Sequence, residues 1–241
     1  VNAASSETGR RFRFKQISVG DYTLGYADAA EFKVAEAMAV SAAYPGYIGP
    51  FVIETGRYEW RKRETWGSSK DDARITQITS DKLHLYDGGI YDNLGTEPLF
   101  DSGKQCFKEG VDYIIVSDAG APLGQVNSRG FQPFRLMRVT DIISEQSRAL
   151  RVRSFVNFLQ CNPRNGAYIQ IGADAQRTMR TYSKLNPEGA ERLLRDSWVS
   201  TEDAARSAAY PTTLWRMSVA DFDLLSRHGY ETAKWNLQLF T

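Results

Sequence analysis

The chain has 241 residues, 42% of them hydrophobic, enough for one domain with a substantial core. Its formal charge of +1, with acidic and basic residues mixed throughout, excludes a field that would gather nucleic acid or an anionic membrane. No run of about 18 apolar residues marks a membrane-spanning helix and the polar start lacks a secretory apolar core, so the reading is a soluble chain, cytoplasmic or peripherally attached to a membrane.

Val1-Asn2-Ala3-Ala4 reads as a strand already under way, which gives the chain the look of a truncated start. Arg11 to Lys15 alternates charge with aromatic after a turn at Thr8-Gly9, so the opening is predicted to be a hairpin. Asp28 and Glu31 form a capping pair ahead of a helix over Phe32 to Ala43, with a small face of Ala35, Ala39 and Ala42. It stops before Tyr44-Pro45-Gly46. From Glu54 to Arg74, Tyr58, Trp60 and Trp66 interleave with Arg61-Lys62-Arg63, an exposed hairpin or insertion whose functional reading is a lipid or partner contact and whose plainer reading is a solvated face.

Leu83 to Tyr86 alternates as a strand into Asp87-Gly88-Gly89, and Val111 to Ser117 is an apolar run with the character of a strand buried on both faces. Leu136, Val139, Ile143 and Leu150 recur at helical spacing opposite Arg138, Glu145, Arg148 and Arg151. Tyr168 to Ile171 is a short strand, and Ala173 to Ala209 is polar and helical with loops. Ser218 to Asp221 has the form of a capping box for a helix ending at His228-Gly229. Strands interleaved with helices predict an α/β fold with a mainly parallel sheet flanked by helices. Cys106 and Cys161 sit in no CxxC or CxxH spacing and read as reduced structural thiols.

The stretch Asp87-Gly88-Gly89-Ile90-Tyr91-Asp92-Asn93-Leu94-Gly95 carries the most chemical information. An acid directly after a strand, followed by two glycines that admit close backbone approach, is either a rigidly held functional carboxylate or an ordinary Asp-Gly turn. Together with its continuation into Asp92-Asn93, this stretch resembles the DGG motif of patatin-like phospholipases. Val1-Asn2-Ala3 with Glu7-Thr8-Gly9-Arg10-Arg11-Phe12 is similar to the strand and turn after that family's nucleophile region, and Ser41 to Gly46 to its SAAxPG segment. Ile115 to Gly120, Gln146 to Arg151, Tyr210-Pro211-Thr212 and His228-Gly229-Tyr230 extend the likeness, in family order, over most of the chain.

The resemblance implies a single patatin-like domain over residues 1–241, truncated on its N-terminal side, that hydrolyses acyl esters of lipids without a cofactor. It makes Asp87 the acid of a Ser/Asp dyad, with Gly88, Gly89, Asp92 and Asn93 as its supporting motif. A serine hydroxyl is a weak nucleophile and needs a base within hydrogen-bond reach, while backbone donors hold the oxyanion.

The chain departs from the family pattern in having no GxSxG and no glycine-rich oxyanion loop, so a missing N-terminal half or another chain becomes an expected partner beside the lipid or acyl ester. Ser41 lies within an alanine-rich helix rather than at a sharp elbow, and reads as a packing serine. Asp92 or Asp118 paired with Asp87 offers a metal site only weakly, because no histidine or ligand spacing accompanies them. His84 reads as strand packing and His228 as a helix-end residue favoured by the dipole. The competing function is a non-catalytic descendant of the fold that binds lipid or protein.

Overall fold

The computed structural model describes residues 1–240 except 47, 66, 70, 121–122, 125–134, 212 and 214, and the backbone alone at 135–137. The chain divides into two compact units, Val1–Gly95 with Phe134–Ser144, and Thr96–Pro133 with Glu145–Thr241.

The first unit carries β1 (Asn2–Ser5), β2 (Arg11–Phe14), β3 (Ser18–Asp21), β4 (Gly25–Asp28), α1 (Val34–Ser41), β5 (Phe51–Glu54), β6 (Trp60–Lys62), β7 (Arg74–Thr76), β8 (Lys82–Asp87) and the one-turn helix α2 (Gly89–Asp92). Among the described residues its strands form an eight-stranded sheet in the order β5-β8-β1-β2-β3-β4-β6-β7. Every neighbouring pair in it is antiparallel.

This overturns the mainly parallel sheet expected from the sequence. Parallel neighbours need a crossover of about a dozen residues or more, whereas residues 6–10, 15–17 and 22–24 join successive strands by turns too short for one. The turn into β4 is fixed by Asp21, whose buried carboxylate accepts from the Thr23 and Leu24 amides and from the Thr8 hydroxyl. The helix α1, though it lies between strands, is no crossover either, since β5 after it pairs antiparallel with β8.

One face of the sheet holds Ala3, Phe12, Val19, Ala27, Ile53, Trp60, Leu83 and Leu85, buried together with Ala37 and Val40 of α1. Phe12, Phe14, Phe32, Tyr58 and Trp60 form a chain of ring contacts in this core, with centroids 4.5–6.4 Å apart. The aromatic segment expected as an exposed hairpin or insertion runs into an antiparallel pair, β6 and β7, at the end of the sheet, with Arg61, Lys62, Arg74 and Ile75 exposed and Trp60 turned inward. Trp60 is only 3% exposed and donates its indole N–H to the Thr55 carbonyl at 2.9 Å. Trp66 lies outside the described residues.

The second unit carries β9 (Phe100–Asp101) and β10 (Cys106–Phe107), which pair antiparallel, and then β11 (Ile114–Asp118), the part of helix α3 (Arg135–Cys161) from Glu145 on, and β12 (Gly166–Gln170). Here alone, among the described residues, two strands run parallel: β11 and β12, with α3 between them in sequence. β11 is not covered on both faces as its apolar run implied. Its burial alternates, and Ile115 is 54% exposed.

Beyond β12 lie α4 (Ala175–Tyr182), α5 (Pro187–Leu194), α6 (Thr201–Ala208) and α7 (Val219–Phe240). Asp174, Asn186 and Ser200 cap α4, α5 and α6 by accepting N–H bonds from the first turn. Met179, Leu193, Trp235 and Leu239 close a second core. Helix α7 starts at Ser218 as expected, but it continues through Gly229 to Phe240. His228 is consequently a buried mid-helix residue, with Nε2 accepting from the Gly172 amide at 2.8 Å. Two turns on, Asn236 donates to the Tyr168 carbonyl at 2.9 Å.

Candidate functional site around Asp87

Strand β8 sends Leu83 and Leu85 into the first core, and the two-residue period puts Asp87 on that same side where the strand ends. Two neighbours fix its backbone. Asp87 pairs with Ala3 of β1, and its amide donates to the carbonyl of Ala43, just beyond α1, at 3.0 Å. Three segments distant in sequence, around Ala3, Ala43 and Asp87, thus meet at the Asp87 backbone.

The two glycines have different reasons to be there. A Cβ on Gly88 would lie 2.5 Å from the Asn2 carbonyl oxygen and 3.0 Å from its carbon, so strand β1 passes where a side chain would have to stand. A Cβ on Gly89 would meet the Asn93 side-chain oxygen at 2.7 Å and Asp87 Oδ1 at 3.1 Å. That oxygen of Asp87 accepts the Gly89 amide at 2.7 Å. The bond sets the carboxylate's orientation, and its second oxygen accepts no hydrogen bond among the described residues. Asp87 itself is half-buried.

Asp92 accepts from the Leu94 and Gly95 amides at 3.2 and 3.1 Å, closing the turn after α2, where Gly95 takes φ +64°. Its role is to shape the motif's exit. Asn93 is exposed beside it. Among the described residues, no group of three histidine, cysteine, aspartate or glutamate side chains is gathered in a way that would hold a metal ion.

Ser41 is the last residue of α1, in regular helix rather than at a strand-to-helix elbow, and no described serine hydroxyl donates to Asp87. Asp118 is buried and its oxygens are committed, accepting from Tyr168 Oη at 2.6 Å, from the Gly120 amide at 3.1 Å and from Arg148. Glu145 takes the other side of the Arg148 guanidinium, Nε to Oε2 at 2.9 Å. Burial, then the bond to Asp118, pushes the Tyr168 hydroxyl well above the usual phenol range. The cluster reads as a structural tie between β11, β12 and α3.

His84 stands on the opposite face of β8 from Asp87. Its ring Nδ1 lies 2.7 Å from Glu7 Oε1, and Glu7 also accepts the His84 amide. Burial alone would raise the Glu7 carboxyl, but the His84 bonds outweigh it and hold Glu7 below the usual carboxylate range. The pairing was not legible in the sequence, where the two residues are far apart, and it fastens the β1–β2 turn onto β8.

No protein-family model, curated protein or solved structure matches the chain. No described helix is long and apolar enough to cross a membrane.

Proposed function

We propose that Asp87 is the general base of a lipid acyl-ester hydrolase whose serine nucleophile and oxyanion donors come from a segment outside this chain. The observation that carries this reading is the carboxylate's setting: anchored at a strand end, oriented through one oxygen by the Gly89 amide, with its other oxygen left for a hydroxyl. The resemblance of the segments around it to the patatin-like family supplies the reaction class. In that reaction the carboxylate accepts the serine proton as Oγ attacks the ester carbonyl, then returns it to the departing alcohol, and water repeats the cycle on the acyl-enzyme. Donors for the oxyanion are a separate requirement, which this reading places with the serine.

The chain as given should hydrolyse no p-nitrophenyl ester and take no fluorophosphonate label. The reading frame extended upstream of Val1 should do both, with Asp87→Asn lowering turnover by roughly 100-fold or more. Ester hydrolysis by the extended protein that survives Asp87→Asn removes Asp87 from the reaction. Labelling of a mapped serine in the short chain replaces the divided site with a complete one.

A further inference from the structure

We propose a second ligand site in the second unit: a cleft of about 250 Å³ that takes a single alkyl chain, with the head group of that amphiphile left in solvent. The cleft lies between the C-terminal part of α3, strand β12, α4 and the end of α7, all within one unit, and it is open on one side. Its wall is mostly apolar, with Val156, Leu159, Tyr182, Leu185, Trp235 and Phe240 contributing.

Among the described residues, no lysine, arginine or histidine lines the cleft to hold an anionic group. Tyr168 Oη is committed to Asp118 and Asn236 Nδ2 to the Tyr168 carbonyl. The Asn236 side-chain oxygen is buried with no donor, an acceptor that would repel a carboxylate carried inward. The occupant's charge therefore stays at the open side and its chain goes in. The same bond from Asn236 ties α7 to β12 and so fixes two walls of the cleft relative to each other.

Size sets the chain length. An apolar cavity of about 150 Å³ holds benzene, with its six carbons, so the larger space here has room for roughly ten. Affinity should then rise about fourfold with each added methylene up to that length and level off beyond it.

Titration calorimetry of the full chain with hexanoate, octanoate, decanoate and dodecanoate tests this, with naphthalene as a compact rigid competitor. The expected result is saturable binding with that chain-length dependence, weakened at least tenfold by Thr178→Trp, which fills the cleft from α4. Should Thr178→Trp fail to fold by circular dichroism, Leu185→Glu decides instead. Leu185 is 52% exposed at the cleft rim, so this change spares the core, and its carboxylate should weaken decanoate at least tenfold. No saturable heat, affinity independent of chain length, naphthalene binding more tightly than decanoate, or a folded rim variant that binds decanoate as before would each overturn the proposal.

Discussion

Replacing Gly88 and Gly89 one at a time by alanine separates a backbone constraint from a side-chain one at adjacent positions. Gly88 has φ −61° and ψ −25°, which alanine adopts without strain, so only contact decides the outcome. The new methyl would stand 2.5 Å from the Asn2 carbonyl oxygen, which belongs to a strand held on both sides. Overpacking against backbone costs about 1–3 kcal/mol. At Gly89 the nearest obstacle, 2.7 Å away, is the tip of the exposed Asn93 side chain, which can rotate aside. Gly89 opens α2, where alanine gains up to about 1 kcal/mol in helix propensity, so Gly89→Ala should be near neutral for the fold. Its methyl would nonetheless press on Asp87 Oδ1 at 3.1 Å. Because the chain has two units, the assay should be local: hydrogen exchange of β1 and β8 amides along a urea series. Gly88→Ala should speed exchange there while Gly89→Ala leaves it within about twofold to fivefold. Gly88→Ala as protected as the parent, or Gly89→Ala more damaging than Gly88→Ala, would falsify the assignment of the two contacts.

Two further outcomes concern the second unit. Burial lowers the His228 pKa from 6.5 and outweighs the opposing pull of Glu231, so the unfolded chain binds the proton more readily than the folded one. The corresponding stability is complete above pH 6.5 and declines as pH falls from there to the lower folded-state pKa. His228→Gln, which keeps an acceptor for the Gly172 amide, should flatten that part of the urea-midpoint profile; an unchanged profile assigns the slope to other groups. Arg148→Met leaves the Asp118 carboxylate buried without its cation and should cost about 3–5 kcal/mol, and the double variant with Asp118→Leu, which removes that charge but also the acceptor of Tyr168 Oη, should lose less than the two single variants added together. Additive losses in that urea-denaturation cycle would mean the pair is not coupled.

The sequence disclosed the local elements far better than their arrangement. The β1–β2 hairpin, β8 running into Asp87, the start of α7 and the helix spanning 135–161 all follow from periodicity and turn residues in adjacent stretches. Pairing direction does not follow from the interleaving of strands and helices when the strands arrive in runs joined by tight turns, as they do across residues 2–28. Trp60 shows the same limit at the level of one side chain. Its place beside the basic run Arg61-Lys62-Arg63 predicts an exposed face, but β6 turns the indole into the core and leaves Arg61 and Lys62 outside. For the site, the motif located Asp87, yet its fastening to Ala43 joins residues that no local pattern connects. The long continuation of α7 past Gly229 was hidden because a glycine after a histidine reads as a helix stop, and burial against β12 overrides that preference.

The side chains that α7 lays along β12 bear on how the parallel pair is finished at its edges. A strand at the margin of a sheet offers its unused N–H and C=O groups to any extended chain that arrives. On β12 the Tyr168 carbonyl is taken by Asn236, just past the strand the Gly172 amide is taken by His228, and α7, which carries both, packs against β12. The other margin, along Ile114–Asp118, pairs with no further strand among the described residues, so the two sides of this parallel pair are treated differently by the fold.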